Sequence, residues 1–370
     1  MAVRVLQVLG RSAGGIARHV AHLVDALDGD EDLTLDVAGP DDLPIVMPKP
    51  IIDLRIPDGP LGHRRAIARL RVVVTDGNYD VVHAHGLRAG IDAGIAARRG
   101  PATVATTVHN LVQPEIAGRL RAVAYRRAES TVVRVSDHVF TVSEQIAQHL
   151  RGSVRDASAM SKIETLHLGV GEAPRTRLDR RSARASVGIE ASAPLVVTAS
   201  RLSPQKAVHV LLDAVALLRS DVMLVVAGEG PLEAELNDRA ASLGISERVR
   251  FTGFRADVAD LIAAADVFCL SSIWEGVPLS AQEAILLGVP VVATDVGGMN
   301  ELITDGVSGR LVPRDDPAAL AAALREVLDS PSVRSSHAEK ARRDLDSNFS
   351  TEAMLERLAD FYRHVAAARG

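Results

Sequence analysis

The 370-residue chain has one cysteine, Cys269, in the apolar segment DVFCL. A lone cysteine excludes an internal disulfide and a cysteine-based metal cage, and it reads as a small buried hydrophobe. No apolar run reaches the roughly 18 residues of a membrane-spanning helix. The chain runs from MAVRVLQVL straight into a glycine turn, without the small-residue cleavage site of a secretory leader. A reducing cytoplasm is the expected setting. An excess of positive charge is also missing: 42 Lys and Arg stand against 47 Asp and Glu, a net of -5, which argues against a general nucleic-acid binder. The acidic run DGDED (Asp28 to Asp32) lacks a calcium-loop pattern and reads as a solvated loop.

At this length two domains are expected rather than one core. Short apolar strands alternate with amphipathic helices nearly throughout, the pattern of stacked βαβ units. The spacing predicts strands at Val3–Leu9, Leu33–Ala38, Asp80–His83, Thr103–Val108, His138–Val142 and Lys162–Leu166. A second series follows at Leu195–Ser200, Met223–Ala227, Val249–Thr252, Asp266–Leu270 and Pro290–Ala293. The Arg- and Ala-rich stretch between the series marks the junction. The expected division is 1–172 for a first Rossmann-like domain, 173–192 for a linker and 193–348 for a second domain. Residues 349–370 form a terminal helix, with Met354, Leu358, Phe361 and Val365 at helical spacing.

Polar or Gly-rich clusters follow the C-terminal ends of these strands: Gly10–Gly15, His83–Gly86 and His109–Asn110, then Arg201–Lys206, Gly228–Pro231, Ser271–Gly276 and Asp295–Gly298. Open parallel sheets bind ligands at that edge, so two sheets facing each other across a cleft are expected. The segment from Trp274 to Glu301 (WEGVPLSAQEAILLGVPVVATDVGGMNE) is the most informative. Helix-start amides near Leu279 and Met299 favour an anion, while Glu275 and Glu283 suit hydroxyls. A nucleotide-sugar combines both groups. Arg201 and Lys206, about one turn apart, suit a diphosphate, each charge-assisted contact contributing roughly 1.5–3 kcal/mol; solvated surface charges are the bland alternative.

Gly14 and Gly15 would let backbone approach a phosphate, although no G-x-G-x-x-G fingerprint follows the strand. His109, ending TTVHN, is expected to project from the first domain toward a sugar hydroxyl or developing charge, against a purely structural strand-end role. His83 and His85 share one face of an extended segment but lack a third metal ligand, so structural use near the acceptor floor is favoured. No metal site is expected. From Leu61 to Arg134 there are twelve Arg and five acids, a belt suited to an anionic acceptor, to peripheral association with an anionic membrane surface, or simply to solvent.

With these residues in place, the chain resembles the retaining nucleotide-sugar glycosyltransferases of "group 1", which have the two-domain GT-B architecture. Arg201, Lys206, Glu275, Gly276, Glu283, Gly288, Pro290, Gly297, Gly298 and Glu301 stand in the family's order and spacing. The resemblance implies that Arg201 and Lys206 hold the donor diphosphate and Glu283 the ribose. It implies that Glu275 and the backbone of Gly276, Val277, Pro278 and Leu279 meet the donor sugar, and that Gly15 faces the distal phosphate. His109 matches the family's histidine near the transferred sugar. Base recognition is expected from backbone around Gly253–Arg255, and the terminal helix is expected to return to the first domain. Two departures stand out. Pro278 replaces a glycine and removes one backbone donor, and Ala207 replaces the glycine after the lysine, read as a mild change. The implied activity is metal-independent, retaining transfer of a hexosyl group from a nucleotide-diphosphate-sugar to a glycan, glycolipid or lipid-linked acceptor, with no cofactor. A nucleotide-sugar epimerase or phosphorylase, or a non-catalytic nucleotide-sugar-binding subunit, are the alternatives.

Overall fold

A computed structural model of the chain describes residues 2–11, 14–30, 32–43, 45–59, 61–111 and 119–368, with side chains of 119–122 excluded. Ser12 and Ala13 of the first glycine turn, Glu31 of the acidic run and the first arginines of the 119–134 stretch therefore lie outside the described side chains. The chain divides into two compact units, Met1–Gly171 with Ser350–Gly370, and Glu172–Phe349.

The first unit is built on seven strands: β1 (Val3–Leu9), β2 (Leu33–Gly39), β3 (Ile51–Asp53), β4 (Val81–His85), β5 (Thr103–Val108), β6 (His138–Thr141) and β7 (Ile163–Thr165). They pair in the order β3-β2-β1-β4-β5-β6-β7. The second unit has six: β8 (Leu195–Ala199), β9 (Met223–Ala227), β10 (Val249–Gly253), β11 (Val267–Leu270), β12 (Val291–Thr294) and β13 (Arg310–Val312). Their order is β10-β9-β8-β11-β12-β13. All neighbouring strands within these two sheets run parallel. Helices cover both faces of such sheets, so strands such as LVVTA (β8) and VFCL (β11) are apolar on both sides and almost wholly buried. Among the described residues no helix is long and apolar enough to cross a membrane.

In each sheet the strand order reverses direction once, between β1 and β4 and between β8 and β11. At such a point the loops leave the sheet on opposite sides and open a crevice, which is where doubly wound sheets take ligands. The fold thus prepares one such crevice in each unit.

Three expectations need correction. Residues 173–192 are part of the second unit rather than a linker. They contain the helix Arg180–Ala185, in which Arg184 is 1% exposed and donates to the carbonyls of Ala264, Ala191 and Ala193 and to Asp266 at 2.9 Å. The β4 strand runs two residues past its expected end at His83, so His85 as well as His83 lies inside the sheet. The terminal helix, Thr351–Ala367, buries Met354, Leu358, Ala359 and Tyr362, leaving Phe361 half-buried. Its buried stripe is turned by one residue because Tyr362 finds hydrogen bonds inside. That helix packs on β1, β4 and the helix Gly15–Leu27, so it belongs to the first unit although it follows the second in sequence.

Candidate active site

In the second unit the loop after β8 meets the loop after β11, on either side of the strand reversal. Lys206 ends a single 3-10 turn, Pro204–Lys206, and Ala207 then takes a left-handed conformation (φ 42°, ψ 42°) before the helix Val208–Ala216 begins. A non-glycine residue is strained there by about 1–2 kcal/mol, so the replacement of glycine at 207 is less mild than its size suggests. The strained turn is clasped by its neighbour loop. Ser271 Oγ donates to the carbonyls of Lys206 (3.2 Å) and Ala207 (3.0 Å), Ile273 N donates to Gln205 O, and Gln205 Nε2 donates to Trp274 O.

The clasp brings Lys206 Nζ to 2.5 Å from Glu275 Oε1. Glu275 is buried, and Ser272 Oγ donates to the same Oε1 at 2.5 Å. Both bonds fall on one oxygen, so Oε2 keeps its lone pairs for a ligand hydroxyl. Arg201, after β8, is exposed, and no carboxylate among the described residues pairs with it. Of the two cations, one is therefore held by an acid of the site and the other is exposed.

Glycines set how closely these loops approach. A Cβ on Gly297 (φ 60°) would stand 1.7 Å from the Glu275 carbonyl oxygen, and Gly298 N donates to Gly276 O at 2.7 Å. Cβ atoms on Gly228 and Gly230 would strike the carbonyl oxygens of Ser200 and Leu202 at 2.0 and 2.1 Å. Pro278 is the N-cap of the helix Leu279–Leu286, and its carbonyl accepts from the amides of Ala281 and Gln282. Because a cap contributes its carbonyl and not its amide to the helix, the proline leaves the first-turn amides of Leu279 and Ser280 available to an anion. Val277 is buried against the core, and Glu283 is half-buried on the next turn of this helix. A second helix does start at Met299 as expected, but Met299–Leu302 is a single turn, too short for an appreciable dipole.

Around the expected base-binding segment, Gly253 has φ 65° and Phe254 N donates to Glu229 Oε1. The Arg255 guanidinium is engaged in a bidentate pair with Asp257 at 2.8 and 2.6 Å, which holds that acid below the usual carboxylate range.

In the first unit, Gly14 precedes the helix Gly15–Leu27, and a Cβ there would meet nothing within 4 Å among the described residues. Packing does not require glycine at 14, so a small residue suits close approach by a ligand. His109 follows β5 and joins His19, His83 and His85 in a cluster of imidazoles, with ring centroids 4.5–5.8 Å apart. Burial, aided by the neighbouring histidines, lowers the pKa of all four; His83 and His109 fall to about 3. Among the described residues no group of three His, Cys, Asp or Glu is arranged to hold a metal ion.

Two family descriptions match the chain: "Glycosyl transferases group 1" over residues 179–344 and "Glycosyltransferase Family 4" over residues 13–172. The chain is a group 1 glycosyltransferase. It is 34% identical over 284 residues to the D-inositol 3-phosphate glycosyltransferase of Mycolicibacterium vanbaalenii, covering 71% of this chain but only 62% of that protein. With the D-inositol 3-phosphate glycosyltransferase of Saccharomonospora viridis it shares 32% identity, covering 82% of this chain and 74% of the relative. The crystal structure of Anabaena Alr3699/HepE in complex with UDP and glucose superimposes with a TM-score of 0.82 at 22% identity, covering 98% of this glycosyltransferase and 100% of that chain. The two units are accordingly the two Rossmann-like domains of the GT-B fold.

Two predictions follow from this packing. Gly297→Ala would force the 297–298 turn away from the Glu275 carbonyl and add backbone strain, costing about 2 kcal/mol; thermal melting of the glycosyltransferase should drop while Gly14→Ala melts as wild type. Stability should also fall below pH 6.5. Unfolded His83 binds a proton near 6.5 and the native residue only near 3, so the unfolded chain gains protons first as pH drops. Urea unfolding at pH 5 should give a stability lower than at pH 7 by about 2 kcal/mol from His83 alone, and a flat profile would contradict its burial as a neutral ring.

Proposed function

We propose that this glycosyltransferase moves a hexosyl group from a nucleotide-diphosphate-sugar to an acceptor hydroxyl with retention at the anomeric carbon and without a metal ion. The observation that carries the proposal is the Lys206–Glu275 pair at the strand reversal of the second unit, with exposed Arg201 beside it. A diphosphate meeting this edge encounters the Arg201 fork, the Lys206 ammonium and the first-turn amides of Leu279 and Ser280. A sugar beside it meets Glu275 Oε2, and ribose hydroxyls meet Glu283.

The charges suit the departure of the leaving group. As the bond from C1 to the phosphate oxygen breaks, its electron pair stays on the nucleotide diphosphate, where both cations and the amides stabilise the growing charge. The acceptor oxygen bonds to C1 from the same face, and its proton passes to the departing phosphate oxygen, so atoms and charge balance and configuration is kept. Pairing with Glu275 sets the position of Lys206 before the ligand arrives, which reduces the ordering required during reaction.

The acceptor is proposed to be anionic. The relatives' names specify inositol 3-phosphate, and Arg64, Arg65, Arg69, Arg126 and Arg127 are exposed in the first unit. A membrane surface of anionic lipid is the second use of the same charges, and sedimentation with anionic vesicles distinguishes it from binding of a soluble phosphorylated acceptor.

Arg201→Ala should lower turnover about 10²–10³-fold, by analogy with loss of a preorganised donor to developing charge. The assay is release of nucleotide diphosphate from a panel of nucleotide-sugars, with circular dichroism confirming the fold. A loss below threefold would remove Arg201 from this role, and a product inverted at C1 would exclude the same-face route.

A further inference from the structure

The buried polar groups beneath the terminal helix form a single chain of hydrogen bonds that ends on His109. The strand register places Gln7 opposite His83, and His85 opposite Thr107, so all four lie on one face of the first sheet. That face is the one on which the helix Thr351–Ala367 packs. Gln7, His83 and Tyr362 are 0% exposed, Thr107 1% and His85 3%. In such a place each donor and acceptor needs a partner, since an orphaned one costs as much as a lost hydrogen bond.

The distances define the order. His109 Nε2 lies 3.1 Å from His85 Nδ1, and His85 Nε2 lies 2.8 Å from Gln7 Oε1. Gln7 Nε2 lies 3.1 Å from the Tyr362 hydroxyl, which is 2.6 Å from His83 Nδ1; His83 Nε2 ends the chain at Thr107 Oγ1, 2.7 Å away. A neutral imidazole has one N–H and one lone-pair nitrogen, so each ring passes the direction of donation to the next. The Gln7 carbonyl oxygen accepts from His85 Nε2–H. His85 Nδ1 is then a lone pair, and His109 must donate to it through Nε2–H. On the other side the Gln7 amide donates to Tyr362, whose hydroxyl donates to His83 Nδ1, and His83 Nε2–H donates to Thr107.

We propose that Gln7 and Tyr362 act as positioning residues that fix His109 as its Nε2–H tautomer, so that His109 Nδ1 is a hydrogen-bond acceptor for a substrate hydroxyl. The terminal helix, returning to the first unit, thereby sets the hydrogen-bonding character of a residue that Tyr362 does not touch. Turning the Gln7 amide over would reverse every bond in the chain and make His109 Nδ1 a donor. Tyr362 opposes this only while its hydroxyl donates to His83. The assignment of a substrate hydroxyl rests on the glycosyltransferase reading of His109; the tautomer itself does not.

The test is long-range ¹⁵N–¹H correlation spectroscopy of the full-length protein labelled at histidine nitrogens, with His109→Gln identifying the His109 signals. The wild type should show His109 as the neutral Nε2–H form at pH 7. Tyr362→Phe, which removes one hydroxyl three side chains away, should turn His109 into a mixture of tautomers and lower kcat/KM in proportion to the Nε2–H form lost, about twofold for an even mixture. His109 as Nδ1–H in the wild type overturns the proposal, as does a single unchanged tautomer in folded Tyr362→Phe. Should Tyr362→Phe not fold, the wild-type spectrum alone decides the direction, and Gln7→Glu, which can only accept, should preserve the Nε2–H form. A correct tautomer in a protein that transfers no sugar would instead sink the function and leave the network standing.

Discussion

An ion pair between Lys206 and Glu275 is the contact on which the loop-bearing edge of the second unit depends. Each partner is placed by a loop that leaves the sheet on its own side of the β8/β11 reversal, so the pair forms only if both loops arrive in register. Ser271 and Gln205 close the backbone around it, Ser272 supports the carboxylate, and Gly297 lets the next turn pass close to the Glu275 carbonyl. A buried carboxylate beside an ammonium is a costly arrangement unless its geometry is good. Its presence in a crevice rather than a core is consistent with a site prepared for a charged ligand.

The first unit solves a different problem. It packs four imidazoles close together, three of them buried and His109 half-buried, and it keeps them neutral by burial and by giving the innermost rings hydrogen-bond partners. The terminal helix is part of that solution, because Tyr362 supplies the link between Gln7 and His83. The same helix is fastened at its surface by Arg363 to Asp30 and Asp32 and by Arg357 to Glu164. Exposed pairs of this kind contribute little each; the buried chain and the apolar stripe through Met354 and Leu358 carry most of the attachment.

Much of this architecture was legible in the residues. Short, largely apolar runs such as LVVTA and VFCL between turn residues read as strands covered on both sides, and the ordered set from Arg201 to Glu301 pointed to the family. The edge strands Ile51–Asp53 and Arg310–Val312 were missed because they are short and bordered by proline, Pro50 before the first and Pro313 after the second, which reads as loop. Tyr362 was missed because a hydroxyl on a helix reads as polar until its partners, Gln7 and His83, are known from tertiary structure. The 173–192 stretch looked like a linker since it is rich in arginine, yet Arg184 is buried against the local carbonyl of Ala191 and the distant one of Ala264. Likewise the cost of alanine at 207 depends on a left-handed φ that composition does not reveal.

The central claim is that Arg201 and Lys206 grip a diphosphate while Glu275 holds the sugar beside it. A crystal structure with a bound nucleotide-diphosphate-sugar tests it most directly. The account predicts diphosphate oxygens within hydrogen-bond distance of both the Arg201 guanidinium and Lys206 Nζ, with a sugar hydroxyl on Glu275. A diphosphate bound elsewhere, with Lys206 still held by Glu275 alone and Arg201 in solvent, would contradict it.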